Sequence, residues 1–413
     1  MKKRILKAMA ICSCTVLVAM LSFLGSMLLD GNKIPKLYIA GNLSGLESKK
    51  DIRNISFLYH DKKVDISGYA EIKLQGTSSL AYEKKNYTIK FFSDEDHENK
   101  LKVDMGWGEQ NKYCLKANWI DRTHARNVVS AKLVSQMQQK YGLLTEAPCN
   151  GAVDGFPVEI YINGDFHGLY TFNIPKDAWQ FAMDEEDPDH IVICGEGFEP
   201  ANLFEAEPDF STWSVEVGEE NEATLEKMKV LFDFVRNSTD EEFKEDFEKH
   251  LDLDAALNYY IFAEFAYLED NRGKNMLLAT YDGQVWYPSL YDLDTSWGSF
   301  YNGRALYDYH SEPMNMQISN LFRRMETCFA QELAQRYFEL RQDVLSEEHI
   351  MEEFENFRNQ IPQISFVKEA IRWGSGFIKR TEDLPGFDYD QIEEYLDTVI
   401  DGLDAKYMAI LEK

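Results

Sequence analysis

The sequence predicts an α+β fold divided into two lobes and preceded by a membrane-spanning helix. Residues 33–175 contain short segments that alternate apolar with polar residues, or are rich in β-branched and aromatic residues, a pattern typical of strands. From residue 176 onward most apolar residues recur at helical spacing. We therefore predict a β-rich N-terminal lobe at 33–175 and a mostly helical C-terminal lobe at 176–413.

The N-terminal segment, residues 1–32, has the composition of a membrane anchor. A basic tip precedes an uninterrupted run of apolar or small residues at 8–29, which is long enough to span a bilayer. We expect a single-pass signal anchor with the bulk of the chain extracytoplasmic. A cleaved signal peptide, which would leave a secreted protein, is the alternative. The basic residues are Lys2, Lys3, Arg4 and Lys7.

Seven segments of the N-terminal lobe are predicted strands. The pair Asn163-Gly164, between EIYI and the following strand, is a strong hairpin signal. One helix interrupts the strands, with Asp121 as its predicted N-cap and Gly142 directly after its last turn. The strand segments are KLYIAGNL, ISFLYH, AEIKLQG, NYTIKFF, YCLKANW, PVEIYING and HGLYTFNI.

The C-terminal lobe is predicted to contain helices and one short strand pair. The strand pair consists of MLLATYDG and QVWYPSLYD. The helical segments are TLEKMKVLFDFVRN, DEEFKEDFEKHL, LDAALNYYIFAEFAYL, NLFRRMETCFAQELAQRYFELR, SEEHIMEEFENFRNQI and YDQIEEYLDTVIDGLDAKYMAIL.

Charge and cysteine content restrict the classes of partner. The formal net charge is −28, whereas nucleic-acid-binding surfaces are rich in Lys and Arg, so we expect no nucleic-acid partner. Four cysteines follow the N-terminal segment at wide spacing, without a CxxC or zinc-binding pattern. Disulfides and buried free thiols both remain open. These cysteines are Cys114, Cys149, Cys194 and Cys328.

Three polar residues in the C-terminal lobe have the spacing of a phosphotransfer site. Asp270 and Asn275 are five residues apart, and Asp292 follows beyond a short hairpin. Protein kinases use this order, in which the first Asp accepts the proton of the attacking hydroxyl and the Asn and second Asp hold Mg²⁺. A turn with capping side chains is the structural alternative. The segment DLDT at 292–295 also fits the D-x-D-x-T motif of haloacid-dehalogenase-type phosphatases, but that class needs a parallel α/β sheet.

A small polar loop in the N-terminal lobe is a second candidate phosphate-binding element. It lies between two predicted strands, where backbone N–H groups and hydroxyls can contact phosphate oxygens. Lysines on the following strands are further candidates, with exposed strand lysines as the alternative. The loop residues are Gly76, Thr77, Ser78 and Ser79, and the lysines are Lys84, Lys85, Lys90 and Lys116.

Several ordered motifs resemble the CotH-type kinases related to spore coat protein H. They are LQGTSS with KKNYTIKF, LKANWIDRTHARNVVSAKL, VEIYINGDFHGLYTF, NYYIFAEFAYLEDNRGKN and LYDLDTSWG, and together they cover about residues 70 to 300. The resemblance implies a bilobal, atypical protein-kinase-like fold. It also implies transfer of the γ-phosphoryl group of ATP, with Mg²⁺ or Mn²⁺, to Ser or Thr of surface or envelope proteins.

The resemblance also assigns roles to individual residues. Asp270 looks like the catalytic Asp, and Asn275 looks like the metal-binding Asn. Asp292 looks like the second metal ligand, with Asp294 as a close alternative or helper. Lys84 falls where the family commonly has a lysine. Arg126, in an element that begins at Asp121 and includes Asn127, is expected to orient a phosphate-contacting group.

Three positions differ from residues that are common in this family. Gln75 replaces an Arg, Asn173 replaces a Glu, and Tyr291 replaces a Trp. These differences leave a second function class open, in which the chain is a catalytically weak, kinase-like scaffold for adhesion or assembly at the cell surface or coat.

Overall fold

The computed structural model describes residues 34–301, 303, 314–374 and 389–413. Within these ranges no helix is both long and apolar enough to cross a membrane. The predicted signal anchor at 1–32 lies outside the described residues.

Seven strands of the N-terminal part form a closed barrel in the order β1-β2-β3-β4-β7-β9-β8. The barrel closes where β1 pairs in parallel with β8, with Leu37 opposite Ile160. All seven predicted strand segments lie in this barrel. The barrel strands are β1 (Lys36–Ala40), β2 (Ile52–His60), β3 (Asp65–Gln75), β4 (Asn86–Phe92), β7 (Lys112–Lys116), β8 (Gly155–Ile162) and β9 (Asp165–Asn173). Two further short strands, β5 (Val103–Asp104) and β6 (Glu109–Gln110), pair with each other in a separate sheet.

Alternation along the strands separates the barrel core from its outer surface. Ile72 and Leu74 of β3 point inward and are buried with aromatic residues of the neighbouring strands, whereas Lys73 and Gln75 point outward. The inner aromatic residues include Phe57, Phe91, Tyr113, Tyr170 and Phe172. The outward side chains of β3, β4 and β7 form one wall of the cavity described below.

A second sheet of four antiparallel strands lies in the C-terminal part, in the order β11-β10-β12-β13. Its strands are β10 (Ile191–Gly195), β11 (Trp213–Val217), β12 (Met276–Thr280) and β13 (Trp286–Leu290). The sequence predicted only β12 and β13, because β10 is a short, fully buried run without alternation. All pairings in this sheet are antiparallel, which argues against the phosphatase alternative.

Nine α-helices are present in the described residues. They are α1 (Arg126–Lys140), α2 (Glu222–Asn237), α3 (Asp240–Asp246), α4 (Leu253–Phe265), α5 (Asn320–Cys328), α6 (Ala330–Arg341), α7 (Glu347–Arg358), α8 (Gln363–Trp373) and α9 (Tyr389–Leu411). The single helix predicted over α5 and α6 is interrupted at Phe329, and α8 was not predicted.

Two helices pack against the half of the molecule that does not contain their neighbours in sequence. Helix α1 buries Val129 and Leu133 in the core of the helical part, where it contacts α4 and α7. Helix α8, near the end of the chain, packs on β9 of the barrel. The two parts are therefore held together by the packing of α1 on the helical part and of α8 on the barrel, as well as by the chain connection near residue 175.

Candidate active site

A cavity of about 730 Å³ separates the barrel from the helical part. The lining residues segregate by charge. Among the described residues, those lining the cavity from the barrel side include five lysines and no carboxylate. Those from the helical side include six carboxylates and two lysines. The barrel-side lysines are Lys49, Lys73, Lys84, Lys112 and Lys116; the helical-side carboxylates are Glu196, Glu216, Glu269, Asp270, Asp292 and Asp294, with Lys176 and Lys274.

The polar loop lies at the cavity and has a backbone that requires glycine. Gly76 has φ +97°, and a Cβ atom there would lie 1.9 Å from Ser79 Oγ. Ser79 Oγ accepts a hydrogen bond from Asn86 Nδ2 at 3.2 Å, and Thr77 Oγ1 accepts one from Lys49 Nζ at 3.1 Å. All four predicted loop residues, 76–79, line the cavity.

Lys116 ends β7 and brings a positive charge to the acidic side of the cavity. Its Nζ lies 3.5 Å from Asp292 Oδ1 and donates a hydrogen bond to Tyr291 Oη at 3.3 Å. Burial opposes the charged form, but the charges of Tyr291 and Asp292 outweigh it and raise the pKa of Lys116 above its usual value. The ammonium group is therefore charged and directed at the predicted metal ligands.

Asp270 and Asn275 lie in a tight loop after α4. Asp270 begins a single 3₁₀ turn, and its Oδ2 accepts a hydrogen bond from Lys274 Nζ at 2.6 Å. Asn275 has φ +61°, and its backbone N–H donates to the carbonyl of Gly195 at 2.8 Å, which anchors the loop to β10. Asn tolerates this conformation better than most residues. Both predicted side chains line the cavity.

Asp292 and Asp294 face the same cavity without continuing the strand. Strand β13 ends at Leu290, and Asp292 has φ +58°, so the alternation of a strand does not explain their common direction. The turn is held by Asn127 of α1, whose Oδ1 accepts a hydrogen bond from the backbone N–H of Leu293 at 2.7 Å.

The pKa of Asp294 is shifted strongly by its surroundings. Burial, and next the charge of Asp292, raise the pKa of Asp294 to about 8, and the charge of Asp270 acts in the same direction. Lys116 opposes this shift without cancelling it. At Asp294, burial and neighbouring negative charge therefore outweigh the positive charge of Lys116.

The donor atoms of this group fit a hard divalent cation. Asn275, Asp292 and Asp294 offer one amide and two carboxylate groups, and Mg²⁺ and Mn²⁺ prefer oxygen ligands. The raised pKa of Asp294 shows that added positive charge would stabilise its ionised form. Cys194, Glu196 and Glu216 form a separate cluster with metal-like spacing, but Lys176 Nζ already pairs with Glu216 at 2.7 Å.

Lys84 lines the cavity, but protein acceptors occupy its ammonium group. Nζ donates hydrogen bonds to the carbonyls of Ala117 and Leu169 and to Glu369 Oε1, at 2.8, 2.5 and 2.6 Å. The side chain is 1% exposed. A lysine has three N–H donors, so none remains for a phosphate group. Lys85 is similarly engaged with the carbonyls of Leu80 and Tyr82.

The structure does not bring Lys90 and Arg126 into the cavity lining. Lys90 lies farther along β4, opposite Lys112. Arg126 is buried and pairs with Asp121, donating from Nη1 to Oδ1 at 2.7 Å, while its Nε donates to the carbonyl of Ser296 at 2.9 Å. Arg126 therefore connects the start of α1 to the loop after Asp294.

Three contributors to the site were not singled out from the sequence. Lys274 is bonded to Asp270, Lys176 lies 4.7 Å above the Tyr291 ring, and Glu369 binds Lys84. Lys274 lies inside the Asp270 motif, so its position alone could have indicated it. Glu369 could not be found this way, because it lies on the unpredicted helix α8.

Comparison with protein families agrees with this geometry. The family model described as CotH kinase protein matches residues 72–398. The chain belongs to the CotH kinase family. The match covers the polar loop, all the proposed catalytic and metal-binding residues and helix α8, so this domain is kinase-like. A search of curated proteins finds no match.

Proposed function

We propose that the protein transfers the γ-phosphoryl group of ATP to Ser or Thr residues of a protein substrate. The observation that carries this proposal is the charge segregation across the cavity. A wall of lysines suits the phosphates of ATP, and a facing group of carboxylates suits the divalent cation that accompanies them.

The residues have distinct roles in this proposal. Asp270 accepts the proton of the attacking hydroxyl, and Asn275, Asp292 and Asp294 hold the divalent cation. When bound, the cation neutralises charge that develops on the phosphate oxygens. Lys116 contacts the phosphates from the barrel side. The polar loop at 76–79 supplies hydroxyl and backbone N–H donors.

Tyr291 and Asn127 support these groups without contacting the phosphates. Two lysines lie over the Tyr291 ring, with Lys116 Nζ 5.1 Å and Lys176 Nζ 4.7 Å from its centroid. This contact, together with the hydrogen bond from Lys116 to Tyr291 Oη, keeps the ammonium beside Asp292. Tyr291 therefore takes a positioning role at a place where the family commonly has Trp.

Incubation with labelled ATP and Mn²⁺ or Mg²⁺ tests the proposal. We expect label to appear on the protein itself or on a Ser/Thr-rich protein acceptor, and to fall by at least about 100-fold in Asp270→Asn. Asp292→Ala should abolish metal-dependent nucleotide binding, while Asp294→Ala should weaken it less. A wild-type protein that binds no nucleotide and labels nothing would favour the scaffold alternative.

A further inference from the structure

The side chain of Asn271 joins the two loops that carry the proposed base and a proposed metal ligand. Its Nδ2 donates a hydrogen bond to the carbonyl of Tyr291 at 3.0 Å and a longer one to the carbonyl of Asn275 at 3.5 Å. Asn271 directly follows Asp270 in sequence, and Tyr291 directly precedes Asp292. One buried amide group therefore connects the residue after the base to the residue before the metal ligand.

The backbone at Asp292 depends on side-chain contacts, because strand pairing does not fix it. Strand β13 ends at Leu290, and Asp292 has φ +58°, a conformation that L-residues with a side chain adopt infrequently. The peptide group before Asp292 accepts the bond from Asn271, and the peptide group after it donates to Asn127 Oδ1. Two asparagine side chains from different elements therefore hold the two peptide groups that flank Asp292.

Stability of the fold does not by itself explain an asparagine at position 271. The residue is fully buried, and no donor among the described residues contacts its Oδ1. Burying an amide oxygen without a hydrogen-bond partner costs free energy. The opposite orientation of the amide would place this oxygen against two carbonyl oxygens, which is less favourable still. What the side chain supplies is therefore the N–H donors that bridge the two loops.

The backbone of Asn271 is fixed independently of this bridge. Tyr259 of α4, itself buried, donates a hydrogen bond from Oη to the carbonyl of Asn271 at 2.6 Å. The backbone N–H of Asn271 donates to the carbonyl of Leu268 at 3.1 Å. Because both backbone groups are held on the α4 side, the side-chain bond makes the position of the Asp292 loop depend on that of the Asp270 loop.

We propose that Asn271 is a positioning residue that sets the position of the Asp270 carboxylate relative to Asp292. This inference rests on the proposed kinase function. In-line phosphoryl transfer needs the acceptor hydroxyl at Asp270 and the γ-phosphate on the Asp292 side of the site to be aligned, and small displacements reduce the rate strongly. Asn127 acts differently, because its hydrogen bond holds the Asp292 loop relative to α1 and not relative to Asp270.

Two measurements on Asn271→Leu test this role: Mn²⁺ affinity by calorimetry, and the rate of label transfer from ATP to a Ser/Thr-rich protein acceptor. Leucine is similar in size to asparagine but has no N–H donor. We expect Mn²⁺ affinity to fall by about tenfold. The transfer rate should fall by about 10- to 100-fold and stay low at saturating Mn²⁺, because the spacing of the two loops is no longer fixed.

Asn127→Ala is the matched comparison, since it removes the other bond that flanks Asp292. It should also weaken Mn²⁺ binding by about tenfold, but saturating Mn²⁺ should bring its transfer rate to within about threefold of wild type. Tyr259→Phe removes a hydrogen bond to the same residue 271 and leaves the bridge intact. We expect a lower melting temperature, with Mn²⁺ affinity and transfer rate within about twofold of wild type.

Asn271→Ala, which also lacks the donor, is measured in parallel so that the result does not depend on the folding of one variant. If saturating Mn²⁺ restores the rate of the Asn271 variants as it does that of Asn127→Ala, Asn271 supports only the metal ligand and the inference is wrong. An equal loss of rate in Tyr259→Phe would overturn it as well, because general loosening of the loop would then suffice. Wild-type protein that transfers no label would instead overturn the proposed function, and this inference with it.

Discussion

Asp294 makes the stability of the proposed metal site sensitive to pH. Its pKa is raised to about 8 by burial and by Asp292, whereas an aspartate in an unfolded chain titrates near about 3.9. Between these values the folded protein holds a proton that the unfolded chain has released. The contribution of this group to stability is therefore present at low pH and is lost as the pH rises from about 4 to about 8.

Asp294→Asn should remove that dependence. In EDTA, we expect the melting temperature of the variant to rise relative to wild type as the pH increases from 5 to 8, measured by scanning fluorimetry. Mn²⁺ should stabilise wild type at pH 8 much more than it stabilises the variant. Glu185→Gln, which removes an exposed carboxylate outside the cavity lining, is the control for loss of one charge. Parallel pH curves for Asp294→Asn and wild type would contradict this account.

At the scale of elements, helix α1 positions the proposed metal ligands through one side chain. Asn127 binds the backbone N–H of Leu293, between the two aspartates, and therefore sets the turn on which both carboxylates depend. Asn127→Ala should weaken Mn²⁺ binding by about tenfold, because groups that orient metal ligands typically contribute 10- to 100-fold. Calorimetric titration with Mn²⁺ measures this.

Ser130→Ala provides the comparison on the same helix. Ser130 Oγ accepts a hydrogen bond from Trp297 Nε1 at 2.8 Å, so this change loosens the same loop beyond the aspartates. We expect it to reduce stability while Mn²⁺ affinity stays within about twofold of wild type. Equal losses of Mn²⁺ affinity in the two variants would show that general loosening of the loop, and not the Asn127 bond, controls the site.

Helix α8 completes the barrel where two strands separate. Strand β7 pairs with β9 only at 171–173, and beyond this point the N–H and carbonyl of Leu169 bond to Glu369 and Lys84. The pair is almost fully buried, with 1% of Lys84 and 7% of Glu369 exposed. Trp373 adds a hydrogen bond to the carbonyl of His167 at 2.7 Å.

Lys84→Met should therefore act mainly on stability. Removing one partner of a buried ion pair costs roughly 3–5 kcal/mol, because the other charge is left unpaired. Guanidinium unfolding should show this loss. The double variant Lys84→Met/Glu369→Leu should be more stable than Lys84→Met alone, since it leaves no buried charge. If the losses from the two single changes simply add, the two residues do not stabilise the fold as a pair.

The sequence predicted which segments form strands and helices better than it predicted their partners. The alternation in NYTIKFF indicates β4 and its two faces, but it carries no information about the parallel pairing of β1 with β8 that closes the barrel. The helix after Asp121 was expected, but the prediction of Asp121 as its N-cap was wrong. The helix begins at Arg126 with Ala125 as N-cap, and Asp121 Oδ2 accepts a hydrogen bond from the Arg126 N–H from five residues upstream.

Site residues could be predicted from the sequence where they lie together in one short motif. Asp270, Asn275 and Asp292 lie on one short stretch of chain around a hairpin, and the structure brings all three to the cavity. Lys84 was predicted to contact phosphates because it follows the polar loop and falls where the family commonly has a lysine, and Arg126 was assigned a phosphate-orienting role because its element resembles one in the family. In the structure Lys84 pairs with Glu369 and Arg126 pairs with Asp121, and both pairs are buried. Glu369 is distant from Lys84 in sequence, so a local motif could not indicate this pair. The four described cysteines are free thiols, which spacing alone could not establish.

The whole molecule places opposite charges on the two walls of one cavity. The chain carries a net charge of −28, yet the described barrel-side lining contains lysines and no carboxylate. Burial lowers the pKa of Lys73, and the charges of Lys90 and Lys112 lower it further. Free ATP entering this cavity would meet both the lysines and the opposing carboxylates.

Divalent metal and nucleotide should therefore bind cooperatively. The cation removes the repulsion between phosphates and carboxylates, and the phosphates in turn supply further oxygen ligands to the cation. A coupling of 5- to 150-fold is typical between two linked ligands, and linkage requires that it be the same in both directions. Calorimetry of the ATP analogue with and without Mn²⁺, and of Mn²⁺ with and without the analogue, should give the same factor. In Asp292→Ala, nucleotide affinity should no longer depend on Mn²⁺; a wild-type protein that binds the analogue equally well in EDTA would show that the two walls do not act through a shared cation.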